Sequence, residues 1–77
     1  MREMVFKMER PGLVKEGDVV ELREEQLPTT DFYYVILPAE AMSGNIPFRE
    51  RLKNKSGRVK LVEDTPRGYY VTVEFDE

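Results

Sequence analysis

The stretch that decides the fold is residues 58–75, RVKLVEDTPRGYYVTVEF, in which two alternating runs flank a Pro-Arg-Gly turn. Val, Tyr, Phe and Thr fit a pleated, half-buried surface, so both runs predict strands. Pro66 to Gly68 predicts a three-residue hairpin loop, in which Gly68 supplies the positive φ that other residues resist. The sequence therefore predicts a closing hairpin over residues 58–64 and 69–75.

The alternation within this hairpin also predicts its register. Apolar side chains share one face and opposite charges meet on the other, through four pairs: Val59 with Phe75, Leu61 with Val73, Lys60 with Glu74, and Arg58 with Asp76. A slip of one residue would set Val59 against Glu74, which disfavours the neighbouring register. Gly68→Val should destabilise this hairpin by about 1 kcal/mol or more.

Further strands are predicted upstream of the hairpin. Met4, Phe6 and Met8 alternate with charged residues, and a turn over residues 15–18 leads into a second run at 19–23. The run from Phe32 to Leu37 is apolar on both faces and is the best candidate for a central strand. Pro38 should end it, followed by at most one helical turn before Gly44.

The predicted fold class is therefore mainly β, with residues 1–77 forming a single domain. We expect a small barrel or a strongly bent antiparallel sheet of about five strands, with one short helix or turn inserted near residues 38–55. A Lys-Glu-Gly-Asp turn into Val-Val-Glu-Leu (15–22) and the closing hairpin from Ser56 resemble SH3-like small barrels. That resemblance is at the level of the fold and implies no function.

Residues 46–55 allow two interpretations. As a helix, the segment would be capped by Asn45, pair Phe48 with Leu52 on one face, and end at Gly57. As a strand, it would align four cations on one face: Arg49, Arg51, Lys53 and Lys55. We favour the helix or an irregular turn, although only the strand would create a one-sided basic stripe.

Composition excludes several chemistries. The chain has 77 residues, no Cys and no His, which removes disulfides, thiolate nucleophiles, imidazole bases and His or Cys metal ligands. Each of the five glycines is expected to lie singly in a turn, so no glycine-rich loop can cradle a phosphate. We therefore expect no enzyme activity, no cofactor and no metal site.

The N-terminal residues and the apolar runs bear on location. No secretory signal pattern follows Met1, and the longest apolar run has six residues, too few to span a bilayer. We expect a cytoplasmic protein without a membrane partner. Charged residues make up 35% of the chain while Asn and Gln are few, a balance typical of thermophile proteins.

Charge is unevenly distributed along the chain. Residues 49–60 hold six of the 12 Lys and Arg residues and only one acid, Glu50, although the whole chain carries −3. The candidate binding residues are four cations of this segment and two tyrosines: Arg49, Arg51, Lys53, Lys55, Tyr33 and Tyr70. Tyr70 is expected on the outer face of its strand, and either Tyr33 or Tyr34 must face outward on the central strand. The cations form either an electrostatic footprint or a structural surface paired with acidic neighbours.

Two functions are compatible with these features. The first is a small non-enzymatic binding or accessory module that docks on a protein partner. The alternative is a barrel that binds RNA or single-stranded DNA, with residues 49–60 contacting phosphates and the tyrosines stacking on bases. Net acidity counts against strong non-specific binding to nucleic acid.

Overall fold

The computed structural model describes residues 1–37 and 41–77, which form a closed barrel of six antiparallel strands. Strands account for 58% of the chain and helix for 4%, so the predicted fold class is confirmed. The elements are β1 (Arg2–Met8), β2 (Val19–Gln26), β3 (Phe32–Leu37), β4 (Ala41–Ser43), a 3-10 turn (Phe48–Glu50), β5 (Ser56–Thr65) and β6 (Gly68–Phe75). The order around the barrel is β1-β4-β3-β2-β5-β6.

The strand count is six rather than about five because of β4. Sequence reasoning expected at most a helical turn before Gly44, whereas Ala41–Ser43 is a strand that bridges β1 and β3. Ala41 is fully buried there, which explains how so short a strand is held in place. Pro38, which we expected to end β3, lies outside the described residues with positions 39 and 40.

The barrel interior is filled by alternate residues of the long strands. Met4, Phe6 and Met8 of β1 point inward as their spacing predicted, and Val71, Val73 and Phe75 do so from β6. Two further contributions come from irregular segments, Val14 from the β1–β2 connection and Leu52 from the segment before β5. The core therefore depends on loops as well as strands.

The predicted register of the β5–β6 hairpin is wrong. Leu61 lies opposite Thr72, not Val73, and Val59 lies opposite Val73, not Phe75. The loop holds only Pro66 and Arg67, because Thr65 and Gly68 already form the first strand pair. Gly68 has the predicted positive φ, 130°, but as a strand residue.

Two features explain the error: the loop is one residue shorter than predicted, which shifts the pairing by one position, and a β-bulge at Lys60 shifts the pairs beyond it by one more. The register shifts between Val59 and Leu61, so the hairpin has two registers rather than the single one that the pattern assumed. The bulge lets Val62 and Val59 both point inward against Val71 and Val73, while Leu61 is left 41% exposed. Because the bulge adds one residue to β5, apolar side chains on both sides of Lys60 can point inward, which a single register over the whole hairpin would not allow.

The charge pairs expected from the single register change with it. Lys60 makes its ion pair with Glu3 of β1 instead of Glu74, with 2.5 Å between Lys60 Nζ and Glu3 Oε2. Arg58 lies opposite Glu74 rather than Asp76. The shorter loop and the bulge at Lys60 together account for both differences, since each moves Arg58 by one position along β6.

Gly57 is not in a turn, contrary to expectation, but inside β5. A Cβ built on Gly57 would lie 2.6 Å from Val73 Cγ1 and 2.8 Å from Phe75 Cε1. Only glycine lets the two strands approach this closely where the barrel closes.

Residues 44–55 form an irregular connection with a single 3-10 turn, which agrees with the favoured interpretation and not with the strand. Ile46 forms an isolated bridge with Phe32, and Pro47 rather than Asn45 precedes the turn. Phe48 is 61% exposed while Leu52 is 2% exposed, so the helical pairing of these two side chains is wrong.

Candidate docking surface

Arg51, a predicted binding residue, is held in a cluster that closes one end of the barrel. Its guanidinium donates two hydrogen bonds to Glu24 of β2, from Nε at 2.8 Å and from Nη2 at 2.7 Å. The hydroxyl of Tyr34 donates to the same carboxylate at 2.6 Å and accepts from the backbone N–H of Leu52 at 2.9 Å. We call these three side chains, Glu24, Tyr34 and Arg51, the Glu24 cluster.

The titration of the Glu24 cluster follows from these contacts. The Arg51 guanidinium, aided by the Tyr34 hydroxyl and by Lys55, lowers the pKa of Glu24 from 4.5 to about 2 despite partial burial. Burial, together with the adjacent carboxylate, raises the pKa of Tyr34 from 10.0 to about 12. Neither group exchanges a proton easily near neutral pH, so the cluster is suited to holding the segment and not to acid–base chemistry.

Aromatic rings complete this end of the barrel. The Arg51 guanidinium carbon lies 4.7 Å from the centre of the buried Phe32 ring, a cation–π contact. Phe48 packs at 42° to Phe32, with 6.1 Å between ring centroids. We call residues 49–55 the basic segment. The residues that join it to the core are Leu52, Arg51 and these two rings.

A second set of hydrogen bonds joins the same segment to Arg2 and Glu77. The Glu77 carboxylate accepts hydrogen bonds from the backbone N–H groups of Lys53 and Asn54, at 3.0 and 2.9 Å, and from Arg2 at 3.2 Å. Arg2 also donates to the Glu50 carbonyl. Burial alone would raise the pKa of Glu77, but these donors lower it below its usual value. Residues 49–55 are therefore held at two places, through Arg51 by Glu24 and through the backbone of Lys53 and Asn54 by Glu77.

The other predicted cations differ from Arg51. Lys55 Nζ lies 4.0 Å from the Glu24 carboxylate. Arg49 and the Lys53 side chain are exposed and lie in no ion pair among the residues that the structure describes. The four cations do not form a one-sided stripe, because the segment is not a strand.

Tyr70 lies on the outer wall of the barrel, as its strand position predicted. Tyr33 does so too, and Tyr34 is buried, which decides between the two tyrosines of β3 that the sequence left open. Tyr70 is opposite Lys7 on one side and Glu63 on the other, and Tyr33 is opposite Glu25. The two tyrosines belong to β3 and β6, which β4 and β1 separate. They do not flank residues 49–55 as a joint stacking platform.

Sequence reasoning missed the apolar residues that lie between these tyrosines. Met42 of β4 is opposite both Lys7 and Val35, and it is 49% exposed. Val5 of β1 is 53% exposed and lies opposite Thr72. We call the outward side chains of these four adjacent strands the docking face: Val5, Tyr33, Val35, Met42 and Tyr70.

A shallow groove lies within the docking face. Its volume is about 340 Å³, and its lining is Tyr33, Val35, Met42 and Arg23. Val35 forms the floor: it points outward from β3, yet only 4% of it is exposed. Arg23 is bound to Glu25 at 2.7 Å, which places a charged border beside the apolar lining.

Two of the missed residues had a signal in the sequence. Val5 lies between Met4 and Phe6, so alternation places it outside, and Val35 must lie on the same side of β3 as the candidate residue Tyr33. Met42 had no such signal, because β4 was not predicted.

No family model matches the chain, and comparison with curated proteins and with solved structures gave no significant match. The likeness to SH3-like barrels accordingly stays a resemblance in turn chemistry. Within residues 1–37 and 41–77, acidic side chains form no cluster of three suited to a metal ion. The same residues contain no helix with the length and apolar character needed to cross a membrane.

Proposed function

We propose that the chain is a small non-enzymatic module that binds a partner protein through the docking face. The observation that carries this proposal is the groove over Val35, because its apolar floor and walls lie on the outside of a barrel whose interior is already filled. A partner would insert an apolar side chain between Tyr33 and Met42.

The composition of the docking face suits a protein interface. Tyr, Met and Arg are enriched at such interfaces, and fully burying a Val or Met side chain contributes roughly 1.5–3 kcal/mol. Lys7 lies between Tyr70 and Met42, and the Arg23–Glu25 pair lies at the border. An apolar centre with charges at its edge is the arrangement that interfaces share.

The charges favour a protein over a nucleic-acid strand as partner. Three cations are already bound by carboxylates, namely Arg2 by Glu77, Arg51 by Glu24 and Lys60 by Glu3. Non-specific affinity for nucleic acid comes from cations that neutralise phosphates, and each outward tyrosine has a glutamate as a cross-strand neighbour. The cytoplasm is part of the same proposal, since a chain without Cys gains nothing from an oxidising compartment.

The test compares two surface variants in affinity capture from native lysate treated with nuclease. Met42→Asp places a charge in the groove, while Val19→Asp places one at an equally apolar position that is 68% exposed on β2, outside the docking face. Candidate partners are then purified, and their affinity is measured for each variant. Circular dichroism confirms that both variants fold.

We expect a protein partner that survives nuclease treatment and binds Met42→Asp at least about tenfold more weakly, while Val19→Asp binds as the wild type does. Equal binding of both variants would remove the docking face from the proposal. Micromolar binding of the purified chain to a short single-stranded oligonucleotide at about 0.15 M salt would favour the alternative function.

A further inference from the structure

The second half of β5 has a strand neighbour on one side only. β6 pairs with β5 along its length, but β2 pairs with β5 only through Ser56, Gly57 and Arg58. Two hydrogen bonds from the loop at Gly17 and Asp18 extend this contact as far as Val59. From Lys60 to Thr65, the strand has no neighbour on that side among the described residues.

The register shows which backbone groups lie on this open edge. Thr65 and Gly68 enclose a two-residue loop, so their backbones can bond only directly to each other. Hydrogen-bonded pairs in an antiparallel ladder recur at every second residue, which makes Glu63 and Leu61 the next bonded positions toward β6. Val62 and Asp64 therefore direct their N–H and C=O groups away from β6, toward the open side.

The open edge is protected against strand addition at its two ends but carries acidic side chains between them. Proteins commonly blunt such edges with lysine, proline or a bulge. The bulge at Lys60 and the proline at position 66 lie at the two ends of this stretch, and Lys60 is bound to Glu3. The intervening charges are Glu63 and Asp64, which are exposed and lie in no ion pair of the described residues.

We propose that the open edge of β5, residues 61–65, accepts an extended basic segment of a partner protein as an added strand. Backbone groups of Val62 and Asp64 would bond to the segment, as in other cases of strand addition. Glu63 and Asp64 are consecutive and point to opposite faces, so they match a segment with Lys or Arg at neighbouring positions. The proposal uses residues outside the docking face and does not rest on it.

Charge also disfavours a second copy of the chain as the occupant. A symmetric antiparallel pairing of two β5 edges centred on Glu63 or on Asp64 places identical carboxylates opposite each other, which is destabilising. Centring it on Val62 sets Asp64 against Lys60, whose ammonium already binds Glu3. A basic segment from another protein has neither conflict.

The test uses a short capped peptide of Val, Thr, Lys and Arg with basic residues at neighbouring positions. A matched peptide carries Glu in place of every Lys and Arg. Binding to the full chain is followed by amide chemical shifts and by hydrogen exchange. Two variants are compared: Asp64→Pro removes one edge donor together with one charge and leaves the β6 ladder intact, while Glu63→Gln with Asp64→Asn removes both charges and keeps the donor.

We expect the basic peptide, at about ten times its Kd, to slow exchange of the Val62 and Asp64 amides by about tenfold. Asp64→Pro should abolish binding, the double amide variant should weaken it at least about fivefold, and Met42→Asp should leave it unchanged. Equal binding of the acidic peptide, or chemical shift changes confined to another surface, would overturn the proposal. Protection of Val62 and Asp64 without peptide, rising with protein concentration, would identify a second copy as the occupant and would equally overturn it.

Discussion

Residues 49–55 and the docking face contrast in what their side chains contact. In the basic segment, Arg51 is bound by Glu24, and Leu52 is inserted into the core. On the docking face, Val5 and Met42 are about half exposed although both are apolar. The segment with the more conspicuous sequence pattern is thus committed to closing the barrel, while a less conspicuous set of strand residues remains available to a partner.

The contrast follows from the cost of burying charge. Glu24 is the charge that the barrel buries: its side chain is 10% exposed and is bound by Arg51 and Tyr34, whereas the Arg51 side chain stays 43% exposed. Outward apolar residues need no such partner. A run of cations in a sequence therefore indicates a binding surface only where the fold leaves those cations without carboxylates.

The largest expected effect comes from Leu52. Leu52→Ala should lower the free energy of unfolding by about 3 kcal/mol, because it opens a cavity at a core position that is 2% exposed. Met42→Ala, at a side chain that is 49% exposed, should change it by less than about 0.5 kcal/mol. Urea denaturation of both variants measures the difference. Equal losses would mean that the docking face is part of the structural core.

The second effect is a dependence of stability on pH through Glu24. Its folded-state pKa of about 2 lies below the ordinary 4.5, so its stabilising contribution is present above pH 4.5 and is lost as the pH falls toward 2. Glu24→Gln should cost about 2 kcal/mol at pH 7, and the gap from wild type should close over that range. Urea denaturation at several pH values checks this. A gap that does not vary with pH would show that the Glu24 cluster carries no linked proton.

The third effect distinguishes two adjacent tyrosines. Tyr34→Phe should destabilise by about 1.5 kcal/mol, because it leaves the buried N–H of Leu52 without its acceptor. Tyr33→Phe removes a hydroxyl from the docking face and should cost less than about 0.5 kcal/mol. Thermal unfolding followed by circular dichroism is sufficient to separate the two. The prediction fails if Tyr33→Phe is the more damaging variant.

The smallest effect is expected for Arg49 and Lys53, which form no ion pair with any residue in the described part of the chain. Replacing Arg49 and Lys53 together by Ser should leave the free energy of unfolding within about 0.5 kcal/mol of the wild type, because exposed charges contribute little. Matched urea curves would show it. A loss above about 1 kcal/mol would indicate that these side chains, and not only Arg51 and Leu52, hold the segment.

Local patterns predicted more of the fold than of the candidate surface. Alternation placed Met4, Phe6 and Met8 inside and Tyr70 outside, but it left open whether Tyr33 or Tyr34 faces outward. It failed in the β5–β6 hairpin, because neither the loop, one residue shorter than predicted, nor the bulge at Lys60 leaves a mark in the hydrophobic pattern. It also missed β4, whose three residues are held by contacts with β1 and β3 that are distant in sequence.

The candidate surface was predicted less well for a related reason. Whether Arg51 is free depends on Glu24, 27 residues away, and no local signal pairs the two. The same holds for Met42, whose neighbours on the barrel wall, Lys7 and Val35, come from two other strands. The composition shows which types of side chain could form a surface. Which of them lie next to each other depends on contacts between strands that are distant in sequence.

The central claim is that the docking face binds the partner protein, while the basic segment closes the end of the barrel and does not bind the partner. The most direct measurement is the Kd of the captured protein partner for two variants, Met42→Asp and the double variant with Arg49→Ser and Lys53→Ser. We predict that Met42→Asp weakens binding at least about tenfold, or about 1.4 kcal/mol, while the double variant stays within about twofold of the wild type. A tenfold loss in the double variant with none in Met42→Asp would contradict the claim.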